Sequence, residues 1–348
     1  MAAGPARLAA DETVRGRHLL ALPTGPGPDD VGSLAASRFP AARWEEPEAG
    51  LVRAAGGAPL RVLRLGRLSR LIGPYGLGPE VSAALGLHGQ PATVWQLECP
   101  VERGDLPAVG GDRDGLKRAF PGGMPVREEE RAIQWLVAVA RRLGGSVRIG
   151  GAGTLLTPDP AAAVDLVVYT DRWLEPDQLL ATARQVVRRA RPSGAGDRYL
   201  GNDEPVDPRL SAHLGRHGVR DDRERARLAA EATAYDAYMM SHPQTETGYG
   251  VEANLDVDGI LVVEVAGQDE VPLVLASAPW ARQGVVAYRI HWEPADFTEL
   301  ESERPSMAHR VARGRAAPQV RGVARVLHGV VGGAILDEAE FPVDPTTL

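Results

Sequence analysis

The chain has few of the residues that signal chemistry. Of its 348 residues one is cysteine, Cys99, and one is lysine, Lys117. A single thiol rules out an intrachain disulfide and a cysteine-based metal cluster. Aromatic residues make up only 5%. The most apolar window, Gly259–Val265, falls far short of the roughly 20 residues that cross a bilayer. The N-terminal stretch MAAGPARLAADETVRGR lacks the apolar centre of a signal peptide, so a cytoplasmic location is the default expectation. There is no Walker phosphate loop, no dinucleotide glycine fingerprint, no nucleophile elbow and no His-Glu-x-x-His.

What is present suits a folded domain protein. Apolar residues are 44% of the chain, enough for a core without staples. Acidic residues number 46 against 39 basic ones, a formal charge of −7, which argues against nucleic acid or an anionic membrane as bulk partners. Arginine almost replaces lysine, alongside abundant Ala, Gly and Pro, which is read as codon bias rather than phosphate recognition.

The strongest pattern is an internal echo. Arg131–Pro158 and Gln319–Pro345 each read as an apolar-striped helix ended by a glycine pair, then a hairpin, then proline. The glycine pairs are Gly144, Gly145 and Gly332, Gly333. Upstream, HLLALPT from His18 and DLVVYT from Asp165 are each a strand followed by a Pro/Asp-rich turn and a helix, with Asp177 the expected N-cap of the second helix. Further strands are expected at Gly50–Ala54, Leu60–Leu65 and Thr93–Cys99, and at Gly250–Val257, Ile260–Ala266, Pro272–Ser277 and Val285–Trp292. IGPYGLGP reads as a turn before a helix near Glu80–Leu85.

The expected fold class is therefore α+β, a tandem duplication of a strand–helix–strands–helix–hairpin unit of ferredoxin-like, plait type with mostly antiparallel sheets. Residues 1–17 form a tail, 18–160 the first repeat and 164–345 the second, which carries a helical insertion at about 191–248.

Chemistry-bearing residues are scattered. Tyr235–Tyr249 mixes aromatic, Met, His and carboxylate side chains, and Tyr238, His242, Glu246 and Tyr249 could form the polar points of a pocket wall. His291 and Glu293, two apart on a strand, share a face and could share a proton. His213 and His217 at i, i+4 are the only spacing that suggests a metal, and Gly215 and Gly218 weaken the helix they would need, so no metal or cofactor is expected. Arg321, Arg325 and His328 form a basic stripe on the last helix, opposite an apolar one. Arg304, Arg310, Arg313 and Arg315 are expected to answer the acidic run Glu293–Glu303. Cys99 alternates onto the Trp95/Leu97 face, the place of a small buried hydrophobe.

With no recognisable catalytic set, a non-catalytic ligand- or protein-binding module is expected, its ligand in a cleft where the two halves meet. Its partner would be a small molecule or a protein, and a homodimer is compatible with the pattern. The rival expectation is a hydrolase or transferase with a His/carboxylate site near the insertion.

Overall fold

In the computed structural model, residues 6–54, 60–87, 91–193 and 248–348 are described. Most of the expected insertion at about 191–248, with the candidates His213, His217, Tyr238, His242 and Glu246, lies outside them. The described residues form an α+β fold with two antiparallel sheets of seven strands and eight α-helices.

The first sheet is built from β1 (His18–Leu22), β2 (Arg43–Glu45), β3 (Arg61–Arg64), β4 (Arg70–Tyr75), β5 (Thr93–Glu98), β6 (Ser146–Arg148) and β7 (Leu155–Leu156). The second is built from β8 (Leu166–Thr170), β9 (Arg191–Pro192), β10 (Gly248–Asn254), β11 (Ile260–Gln268), β12 (Val285–Glu293), β13 (Ala334–Asp337) and β14 (Pro342–Val343). Their orders are β2-β3-β4-β5-β1-β6-β7 and β14-β13-β8-β12-β11-β10-β9. Numbered from its own first strand, each sheet therefore runs 7-6-1-5-4-3-2.

In the first half, α1 (Glu12–Gly16), α2 (Pro28–Ala36), α3 (Ala49–Ala54), α4 (Pro79–Ala84), α5 (Leu116–Ala119) and α6 (Arg127–Leu143) surround the sheet; α7 (Pro176–Ala183) and α8 (Met307–Val331) serve the second. Val31, Leu34 and Ala35 of α2 and Ala132, Ile133, Leu136 and Ala140 of α6 bury one face of the first sheet on Leu20, Leu22, Trp95 and Leu97. Leu179 and Ala183 of α7 and Val320, Val323 and Leu327 of α8 do the same on Val168, Val263, Tyr288 and Ile290. The period-3.6 stripes and period-2 alternation that made these segments readable are what fill the two cores. The opposite face of the first sheet is closed by Ala6, Leu8, Val14, Leu85 and Leu87; the second sheet's opposite face is closed in part by Leu275 and Ala281.

Both glycine pairs end their helices, with Gly144 at φ 67° and Gly332 at φ 72°. The second member of each pair lies against a strand carbonyl: a Cβ on Gly145 would overlap Ala21 O, and one on Gly333 would overlap Tyr169 O. Ala21 and Tyr169 are each the fourth residue of their strands.

Several expectations are corrected. Gly50–Ala54 belongs to helix α3, not a strand; so short an apolar run carries no periodicity to separate the two, and Ala, Leu and Arg favour helix. Pro272–Ser277 contains a 3-10 turn at Leu273–Leu275 that packs across the sheet instead of joining it. Half of the expected turn IGPYGLGP is strand β4, whose Pro74 sits where the register with β5 shifts, between Ile72 and Tyr75, a place where a strand tolerates the missing N–H. The N-cap of α7 is Glu175, not Asp177: Pro176 takes the first helical position and Gln178 returns a bond to the Glu175 N–H. The arginines of α8 do not answer the acidic run. Arg313 pairs with Asp159 and Arg315 with Asp258, while Glu303 pairs with Arg118.

Candidate functional site

Among the described residues, three places bring polar chemistry together. The first lies under the N-terminal turn of α6. His18 on β1 and Glu129 on α6 are both buried, and His18 Nε2 lies 3.0 Å from Glu129 Oε1. The Gly150 N–H donates to His18 Nδ1 at 3.1 Å, so the ring proton sits on Nε2 and is donated to the carboxylate. Glu129 also accepts from Arg103 and from the Glu102 N–H. Burial pushes its carboxyl up, but the bonds from His18, Arg103 and Glu102 outweigh it and hold it below its ordinary value.

Cys99 joins this pair closely enough for three ligating atoms to lie within 4.8 Å of one another. The donor set nevertheless does not suit a cation. A metal on Nε2 needs the ring proton moved to Nδ1, which faces an N–H donor; Glu129 already holds the Arg103 cation; and burial, then the nearby Glu129 charge, push the Cys99 thiol up to about 12. The cluster is an internally satisfied ion-pair network with a neutral thiol beside it. Sequence gave no local sign of it, because His18 and Glu129 are 111 positions apart.

The second place is the outer face of the second sheet. His291 Nε2 and Glu293 Oε1 are 3.2 Å apart there, on neighbouring outward positions of β12 and half-exposed. Tyr249 is elsewhere. Its hydroxyl donates to Leu174 O, and its ring meets Trp173 edge-on at 5.4 Å, which fastens the chain leading into α7. The structure thus does not bring Tyr249 together with His291 and Glu293.

The third place is the seam between the two halves, made by the β13–β14 hairpin. Phe341, from its turn, is 1% exposed and packs in the core of the first sheet. Around it, Glu338 accepts from both Arg113 and Arg141, Arg38 pairs with Glu340, and Arg142 reaches Asp337 Oδ2 at 3.5 Å and Pro342 O at 3.1 Å. Beside the hairpin opens a groove of about 350 Å³. Val164, Leu166 and Val343 supply apolar lining, Arg142 of α6 and Arg321 of α8 the cations. Burial pushes the Asp337 carboxyl up against two backbone N–H donors, Phe341 and Ala339, that favour its charge.

Of the other hollows, that of about 360 Å³ along Arg17, His18 and Cys99 is walled by the first half alone, and two more fit a ligand less well. One, beneath His309, Arg313 and Asp159, has about 50 Å³, room for a water or two. The other, about 590 Å³ beside Trp280 and Gln283, is a wide depression bounded by turns and the ends of β11 and β12, within the second half alone. Among the described residues no helix is long and apolar enough to cross a membrane. No protein-family model, curated protein or solved structure matches the chain.

Proposed function

We propose that the protein is a non-catalytic binding module on a tandemly duplicated α+β scaffold, and that its ligand sits in the groove at the seam. The groove's form carries this: a volume inside the usual range of ligand pockets, walls from both halves, and charged groups beside part-exposed apolar surface at Ala163, Ala339 and Leu348. Duplication is supported by the shared strand order and by the second glycine of each pair abutting the fourth residue of each first strand.

His18 and His291 support binding over catalysis. His18 has both nitrogens engaged in a closed network, and His291 and Glu293 lie part-exposed to water on an outward sheet face. A general base needs reach to a substrate proton as well as a partner.

The test is a titration of the full chain with cyclohexanol and indole, followed by backbone amide shifts. Saturable shifts at Val164, Leu166 and Ala339, abolished by Ala163→Trp, are expected. Shifts absent from those amides, or hydrolysis of simple esters that disappears in His291→Ala, would overturn it.

A further inference from the structure

We propose that the seam groove selects amphiphilic anions, with a carboxylate or phosphate head held by Arg142 and Arg321 and an apolar body on Ala163, Ala339 and Leu348. The inference rests on the groove being the ligand site.

The cations of the groove differ in how far they are already partnered. Among the described residues Arg321 makes no hydrogen bond or ion pair, although it lines a concave surface beside other arginines. Arg142 has one long ion pair, at 3.5 Å, and one backbone acceptor. Arg141 is more than nine-tenths buried and pairs with Asp114 and Glu338, yet its Nε has no acceptor.

The acids are more fully engaged. Glu338 receives Arg113 and Arg141, and Asp337 receives the Ala339 and Phe341 N–H groups at 2.9 Å each. Nearby, the Leu348 carbonyl accepts from Arg325. Donor capacity in the groove thus exceeds acceptor capacity, and the surplus sits on guanidinium groups, whose planar forks match carboxylate and phosphate oxygens. Part-exposed apolar lining separates this from a merely solvated basic surface: an inorganic anion would leave Ala163, Ala339 and Leu348 wet, whereas an alkyl tail removes them from water.

The probes are octanoate, octyl phosphate and octanol, which share a tail and differ in the head. Each is titrated into the full chain by calorimetry, with amide shifts to locate it. Both anions are expected to bind about tenfold or more tighter than octanol, the gain of charge-assisted hydrogen bonds over neutral ones, with shifts at Val164, Leu166 and Ala339. Arg321→Gln is expected to remove most of that preference and leave octanol unchanged. Arg142→Gln acts in the same direction, and because Arg321 is exposed, its variant serves should Arg142→Gln disturb the hairpin. The two anions compared with each other distinguish a carboxylate from a phosphate ligand. If all three bind alike at the groove, or if Arg321→Gln leaves the preference intact, the anion assignment fails while the groove stands. If none saturates those amides, both fall.

Discussion

Glu129 is a carboxylate with no exposed side-chain surface, kept charged by an imidazole, a guanidinium and a backbone N–H. Removing one member of such a set strands the others, which costs more than the set itself contributes. Glu129→Gln is expected to lose about 3 kcal/mol at pH 7. The pH dependence has a definite sign. Because the folded value lies below the ordinary 4.5, the stabilisation is complete above that pH and lost as pH falls through the folded value. Urea unfolding at pH 7 and pH 3 should therefore show the gap between wild type and variant shrinking in acid; an unchanged gap contradicts this account. Cys99 gives a second check at the same spot. With its thiol pushed from 9.0 to about 12, the thiolate fraction is about a thousandfold below that of the unfolded chain, so a thiol-reactive dye at pH 8 should label native protein far more slowly than urea-unfolded protein. Comparable rates would mean an exposed or ionised thiol. Sequence indicated half of this. The alternation Trp95, Leu97, Cys99 put the sulfur on the core side, but nothing local joins β1 to α6, so the ion pair that surrounds it had no signature.

Elements were the best-read scale, and the failures share a cause. Helices α6 and α8 were visible because long stripes and glycine stops agree, and strands β10 to β12 because each is a run of seven residues or more. Gly50–Ala54 and Pro272–Ser277 are too short for a period to decide, and what surrounds them in space chose helix and 3-10 turn. Pro74 mimicked a turn because local chemistry cannot reveal a neighbouring strand whose register shifts to accommodate it. The glycine pairs were read as stops alone. The structure gives their members different duties, and a pair of variants separates them. Gly332 has open space where a Cβ would go, and only its backbone, φ 72° with ψ −150° in a region nearly confined to glycine, disfavours one, so Gly332→Ala should cost about 1–3 kcal/mol. Gly333 has a φ of 85° and the Tyr169 carbonyl in the way, so Gly333→Ala must also move β13 from β8 and should cost about 3 kcal/mol or more. Thermal unfolding ranks them; equal losses would leave only the backbone conformation as the reason for either glycine.

Across the whole molecule, the two sheets share a strand order, yet the contact between the halves is one-sided. The β13–β14 hairpin sends Phe341 into the core of the first sheet, whereas the β6–β7 turn, Ile149–Thr154, folds back on its own half, with the Gly151 N–H donating to Arg15 O. The difference lies in side-chain content. The first turn is glycine and alanine, and the second carries Glu338, Glu340 and Phe341, each with a partner across the seam. This asymmetry was out of reach of a sequence comparison that aligned the halves by what they have in common. It also shapes the groove, whose wall is the same hairpin. Phe341 therefore links the second half to the core of the first sheet through one buried side chain. Phe341→Ala removes a fully buried ring and should lower stability by about 3–5 kcal/mol. The more telling outcome is in cooperativity. In the wild type, amide exchange of β1 and β5 should report the same opening free energy as that of β11 and β12. In Phe341→Ala the two sets should separate, the first sheet losing protection while the second keeps its own α7–α8 core. If all four strands instead lose protection equally, the halves are held together by the surrounding ion pairs, from Arg113, Arg118 and Arg141, and not by the aromatic anchor.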